Sequence, residues 1–114
     1  MAIVLAAHGA GDGSSVNEAV RERARSLAES GFGEVAVAFH SGTPGFSSVL
    51  STLCSTAVVV VPLMASHGYY ADVVLPHALG SDPASAEKSV RVSMPLGLHP
   101  RLAGIIGRRI EELS

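Results

Sequence analysis

The sequence predicts an α/β fold: one domain over residues 1–114, with a four-stranded parallel sheet flanked by helices. Three observations carry that expectation. Short apolar runs at Ile3–Ala7, Val35–Phe39, Val58–Val61 and Val90–Met94 each precede a stretch that can form a helix, and strand–helix alternation calls for parallel strands joined by right-handed crossovers. Val58–Val61 is an unbroken valine run without polar alternation, the pattern of a strand buried on both faces. Functional groups then bunch just beyond the runs, and an open parallel sheet binds ligands outside the carboxyl ends of its strands.

The elements follow in order. After Ile3–Ala7, the stretch His8-Gly9-Ala10-Gly11-Asp12-Gly13 has turn chemistry. Ser15 and Glu18 have capping-box spacing and are expected to open a helix. Val16, Ala19, Val20, Leu27 and Ala28 supply its expected buried side, and Gly31 its end. His40 stands at the carboxyl end of the second strand. Thr43-Pro44 reads as a cap and first-turn proline for a helix carrying Phe46, Val49, Leu50, Leu53 and Cys54.

Pro62 removes a backbone donor at the end of the third strand. Tyr69–Leu79 reads as a helix with a break near Pro76, and Gly80–Lys88, with Asp82-Pro83, as a surface loop. Pro95 to Pro100 turns the chain. Leu102, Ile105, Ile106, Ile110 and Leu113 mark a final amphipathic helix.

Composition narrows the function classes. With 114 residues, 47% of them apolar, the chain suits one ordinary core and not disorder. A net charge of −2 excludes the footprint of a nucleic-acid binder. Arg21, Arg23 and Arg25, and likewise Arg108-Arg109, read as solvated helix faces. The single cysteine, Cys54, cannot build a disulfide framework and is expected to be packed. No apolar run approaches the ~18 residues of a membrane span. Met1 to Leu5 has no basic lead and runs into His8-Gly9, so it reads as a strand and not a signal peptide. A cytoplasmic protein without membrane contact is the expectation.

Of five histidines, His8, His40 and His67 stand after strands, His67 beyond a short extension. A parallel sheet gathers strand ends on one edge, so these imidazoles can converge on one metal or one proton-transfer site. Neutral imidazole suits Fe, Co, Ni and Zn. Each also has a structural reading as a capping or surface residue. His77, inside a helix, and His99, at a helix start, read as structural. Asp12 and Asp72 are candidates for a carboxylate pair. Gly9, Gly11 and Gly13 alternate without dinucleotide-binding spacing, and no P-loop lysine motif, CxxC or nucleophile elbow is present.

LAAHGAGDGSSVNEAV resembles the opening of the small class II tetrapyrrole chelatases, the CbiX-like sirohydrochlorin cobaltochelatase type: His8, Gly9, Asp12 and Asn17 fit the pattern. VAFHSGTPGFSSVL is similar to the second strand of that family with its following proline, here Pro44. VVVVPLMASHGYYADVVLP has the length, Pro-Leu start and Pro end of its third block. PLGLHPRLAGIIGRRI, with Pro95, Gly97, His99 and Pro100, is similar to its closing block. The resemblance covers nearly the whole chain. One departure concerns the site. Alignment of Pro62 and Pro76 puts Tyr70 where the family has its second metal-binding histidine, with His67 three residues earlier. The family's acidic residue falls on Val74, two positions after Asp72.

The resemblance implies a chelatase-like fold, half of a flavodoxin-like arrangement. It implies insertion of Co2+, Ni2+ or Fe2+, as substrate, into sirohydrochlorin or a related tetrapyrrole, with no organic cofactor. His8 and His67 are then the metal-holding and proton-accepting residues. Gly9, Ala10, Met64 and Tyr70 are the expected contacts of the flat macrocycle, with Ala65, Gly68 and Tyr69 beside them. A homodimer is expected, because one small lobe offers a shallow edge and larger relatives carry two lobes; Met64, Tyr69, Val73 and Leu98 are the candidate contact surface. The alternative function is a non-catalytic metal- or tetrapyrrole-binding module. A histidine-phosphatase-like hydrolase also has a strand followed by His-Gly, but Ala7 stands where that group has arginine.

Overall fold

Val4 and Val60 have no exposed surface, and they face each other in the register of two neighbouring parallel strands at the centre of a sheet. The computed structural model describes residues 1–63 and 70–93. Its strands are β1 (Ala2–Ala7), β2 (Glu34–Phe39), β3 (Ala57–Pro62) and β4 (Ser89–Val92), in the order β2-β1-β3-β4 and all parallel. The fourfold strand alternation is therefore realised as one parallel sheet. β1 and β3 occupy the interior of the sheet, which is why their sequences are apolar at consecutive positions instead of alternating.

Pleating divides the core between the two faces. Ala2, Val4 and Ala6 of β1 join Val58 and Val60 of β3, Phe46, Val49, Leu50, Leu53, Leu75 and Leu79 on one side. Ile3 and Leu5 join Val59, Val61, Ala24 and Leu27 on the other. The second face is covered by α1 (Ser15–Leu27), the first by α2 (Leu75–Ser81) and short 3-10 turns. This split follows from the order of pairing. The chain steps from β1 outward to β2, then back across to β3 and on to β4. A right-handed crossover on each step puts the connections on opposite faces. The reversal creates a switch point between the carboxyl ends of β1 and β3, where doubly wound sheets bind ligands.

Several local expectations are corrected. The cap of α1 is Ser14, not Ser15: its hydroxyl accepts from the Asn17 N–H at 3.1 Å. The buried side of α1 is Asn17, Ala24 and Leu27, with Val20 partly buried. Val16 is 53% exposed, and Ala19 and Ala28 are also exposed. Gly31, at φ 91°, ends the helical path through a short π turn over Ala28–Phe32.

No α-helix starts at Thr43-Pro44. The bond between them is cis, the Pro44 carbonyl accepts from the Phe39 N–H at 2.9 Å, and Gly45 bridges to Phe39. The segment is thus pulled back along β2. Only a 3-10 turn, Val49–Thr52, follows. Phe46, Val49, Leu50 and Leu53 are buried as their pattern required, but Cys54 is exposed. Its N–H and that of Ser55 are held by the Glu34 carboxylate at 2.9 and 3.0 Å, which pins the backbone there and leaves the thiol outside the core.

Pro62 belongs to β3 in the register Ala6↔Pro62, and the ladder closes one residue later, where the Leu63 N–H donates to the Ala6 carbonyl at 2.7 Å. The helix read from Tyr69 onward is a π segment, Tyr70–Val74, leading into α2, with Pro76 in the first turn of the α-helical part. The segment read as a surface loop contains a 3-10 turn, Pro83–Glu87, and a buried carboxylate, Asp82, at 1% exposure. The expectations on Met64, His67, Tyr69, Met94, the Pro95–Pro100 turn with His99, and the final helix lie outside the described residues.

Candidate active site

β1 and β2 run in register from Ala2↔Glu34 to Ala7↔Phe39. The next residue on each is a histidine, His8 and His40. The ladder continues past the strands: the His40 N–H donates to the Ala7 carbonyl at 3.1 Å and the Ser41 N–H to the His8 carbonyl at 2.7 Å. Both imidazoles therefore leave the same edge of the sheet from adjacent, hydrogen-bonded backbones. Their ring centroids are 5.1 Å apart with the planes inclined at 50°. Both residues are exposed. Behind His40 stands the buried Phe46, its ring 6.1 Å away.

His8 Nδ1 lies 3.2 Å from the Gly9 carbonyl oxygen. A carbonyl only accepts, so this contact calls for the proton on Nδ1 and leaves the lone pair on Nε2. Nε2 is then the atom that can bind a metal or take up a proton. Metal-binding histidines commonly have their other ring nitrogen held by a backbone carbonyl in this way.

One buried side chain ties the two histidine loops together. Asn17, with no exposed surface, accepts from the Ala10 N–H at 2.8 Å through Oδ1 and donates through Nδ2 to the Ser41 carbonyl at 3.0 Å. The Gly11 N–H also donates to that carbonyl, at 3.0 Å. Such close packing requires glycine at two positions. A Cβ on Gly9 (φ 78°) would collide with the Ser41 carbonyl oxygen, and one on Gly42 (φ 148°) with Asn17 Nδ2. Both glycines have backbone angles that side chains strain.

An outer clamp surrounds this hub. Asp12 accepts from the Thr43 N–H at 2.9 Å and the Thr43 hydroxyl at 3.0 Å, and Arg21 lies 3.5 Å from it. The Thr43 bonds, with help from Arg21, hold the Asp12 carboxyl below the usual carboxylate range. Arg21 also donates to the Thr43 carbonyl at 3.0 Å and covers the Phe39 ring at 5.2 Å. Asp12 thus clamps the loop through Thr43 and Arg21. Arg21 is a fastener, where it had read as part of a solvated face.

The sequence-predicted site residues fare differently. His8, Gly9 and Ala10 are together on the loop after β1, with His8 and Ala10 exposed. His40, offered by position alone, is brought beside His8. His67 and Met64 lie outside the described residues, and Tyr70 opens the π segment that follows them. His77 is exposed on α2. Among the described residues, no group of three or more His, Cys, Asp or Glu side chains is arranged to hold a metal. No helix among them is long and apolar enough to cross a membrane. Sequence reasoning missed Ser41, Gly42 and Arg21 as site-builders. Only the Gly-Thr-Pro turn at residues 42–44 signalled special backbone geometry there.

Comparison with known proteins adds four findings. A family model described as CbiX matches residues 2–113. A Halobacterium salinarum protein named "probable sirohydrochlorin cobaltochelatase" is 31% identical over 134 aligned positions, which cover 99% of this chain and 46% of that protein. The chain therefore spans about half the length of that relative. A crystal structure from Deinococcus radiodurans, of a multi-domain protein described as structurally similar to chelatases with two additional novel domains, superposes with a TM-score of 0.76 at 28% identity, over 99% of this chain and 28% of that one. A Marinobacter aquaeolei structure, assigned as a CbiX protein of cobalamin (vitamin B12) biosynthesis, gives 0.68 at 23% identity, over 98% of this chain and 95% of that one, and shares the fold.

Proposed function

The chain belongs to the CbiX family, and on that premise we propose that it inserts a divalent metal ion into a tetrapyrrole of the sirohydrochlorin type. The name of the Halobacterium relative favours Co2+, with Ni2+ and Fe2+ the other ions that imidazole suits. The observation that carries the reading is His8: an exposed imidazole at the carboxyl end of the central strand, with Nδ1 turned to the Gly9 carbonyl.

Insertion has two physical demands. The macrocycle must lose two pyrrole protons, and the ion must exchange water for pyrrole nitrogens. An exposed imidazole serves either demand, as a transient ligand or as a proton acceptor. Gly9 and Ala10 carry little side-chain bulk beside His8, which suits the approach of a flat ligand. His67, which follows β3 in the sequence, is proposed for the complementary role, with Met64 and Tyr70 as further contacts of the macrocycle. Two copies of the chain are proposed to enclose the macrocycle between them.

The test is a steady-state assay with sirohydrochlorin and each of Co2+, Ni2+ and Fe2+, followed by the change in the visible spectrum of the macrocycle. Metal insertion by the wild-type chain, abolished in His8→Ala with the fold preserved, is the expected result. Macrocycle binding without turnover would replace this reading with a non-catalytic binding module. An undiminished rate in His8→Ala would remove His8 from the mechanism.

A further inference from the structure

We propose that His40 is a second metal-handling residue, and that His8 and His40 together form a two-imidazole seat which receives the divalent cation before it enters the macrocycle. The inference rests on the chelatase reading for its purpose but on geometry for its substance. A metal held by two imidazole nitrogens at about 2.0–2.1 Å from each, with an angle of roughly 90–110° between them, places the two ring centroids about 4.5–5.2 Å apart. The observed separation of 5.1 Å falls within that span. The rings are inclined at 50° and are not stacked face to face.

The seat is preorganised. His8 and His40 occupy matching positions after in-register strands, and their backbones are joined by hydrogen bonds at 3.1 and 2.7 Å. Asn17 and the glycine contacts fix the loops that follow. Phe46 backs the His40 ring. Transfer requires ion positions that an incoming pyrrole nitrogen can take; a closed four-ligand site would retain the metal.

Passing the ion to the macrocycle breaks two imidazole–metal bonds and forms bonds to pyrrole nitrogens, whose two protons are released to water. Each freed imidazole regains one lone pair. No oxidant or reductant is needed for this balance.

The experiment is a titration of the chain with Co2+ alone, without tetrapyrrole, followed by calorimetry and by the visible absorption of the bound ion. The proteins are wild type, His8→Ala, His40→Ala, His40→Gln and the double variant His8→Ala/His40→Ala. Both histidines are exposed, and thermal melting checks that each variant is folded. The expected result is binding at one ion per chain, weakened at least about tenfold by either single alanine change and by His40→Gln, since loss even of a residue supporting a metal ligand has that effect. The double variant should lose less than the product of the single losses, because the two rings share one ion. Wild-type Co2+ affinity in His40→Ala, or losses that multiply as independent sites, would overturn the seat. The two readings fail separately. Coupled Co2+ binding in a wild-type chain that performs no insertion supports the seat and removes the chelatase reading. Insertion with unaltered Co2+ affinity in His40→Ala does the reverse.

Discussion

Truncating Asn17 tests the claim that one buried amide holds the two histidine loops together. In Asn17→Ala, the Ala10 N–H loses its acceptor and the Ser41 carbonyl loses one of its two donors, while the Gly11 bond to that carbonyl remains. Two hydrogen bonds at about 1 kcal/mol each, and roughly 1 kcal/mol for packing lost around a fully buried side chain, give a cost of about 2–3 kcal/mol. For a domain of this size that lowers the melting temperature by roughly 10 °C. The assay is urea and thermal unfolding by circular dichroism, with Co2+ affinity measured on the same samples. Asn17→Asp sharpens the test. Its carboxylate would face the Ser41 carbonyl in a buried site, so its folded pKa is raised. The variant is then least penalised in acid, where the protonated group can donate. Its deficit opens as pH rises above the unfolded carboxyl value near 4 and levels off beyond the raised folded value. A change within about 0.5 kcal/mol for Asn17→Ala, or a pH-independent deficit for Asn17→Asp, would refute the role given to this residue.

Asp82 carries the second prediction: burial opposes its charge, but the Ser51 hydroxyl, with the N–H groups of Ala84, Ser51 and Leu50, holds its pKa below the usual value. Its contribution is therefore present above the unfolded value near 3.8 and lost as pH falls through the folded value, so Asp82→Asn should cost about 2–3 kcal/mol at pH 7 and less below pH 4, and equal deficits in urea midpoints at both pH values would count against it. His67→Ala should slow metal insertion more than Tyr70→Phe, because imidazole binds divalent metal at neutral pH whereas a phenol with pKa about 10 is protonated; the opposite order in kcat/KM would give the role to Tyr70. A dimer is expected in light scattering at micromolar concentration, with Val73, 51% exposed on the π segment, in its contact surface; a mass near 11.7 kDa with metal and macrocycle present would remove it.

The sheet was legible because burial on both faces writes itself into composition: a run such as Val58–Val61 has few other uses. The connection after β2 was not legible. Phe46, Val49, Leu50 and Leu53 have helical spacing and are indeed buried, but the backbone bonds of Phe39 to Pro44 and of Thr43 to Asp12 hold the segment in another shape. Asp12 lies 31 residues from Thr43, and no periodicity encodes either bond. Asp82 was misplaced for the same reason. Next to proline it reads as turn chemistry, and only its pairing with Ser51, 31 residues earlier, explains a buried carboxylate.

The candidate site shows the same limit. Each histidine is visible in the sequence as a residue following an apolar run, yet nothing local says that His8 and His40 are neighbours. Their proximity comes from the pairing of β1 with β2 and from its register. Adjacent strands lie about 4.8 Å apart, so residues one step beyond a matched pair such as Ala7↔Phe39 start at that spacing on the same face. The ring separation of 5.1 Å is little more than the strand spacing carried outward. A slip of one residue would send one imidazole to the opposite face of the sheet. The same pairing that buries Leu5 and Ala6 sets the distance between the two imidazoles.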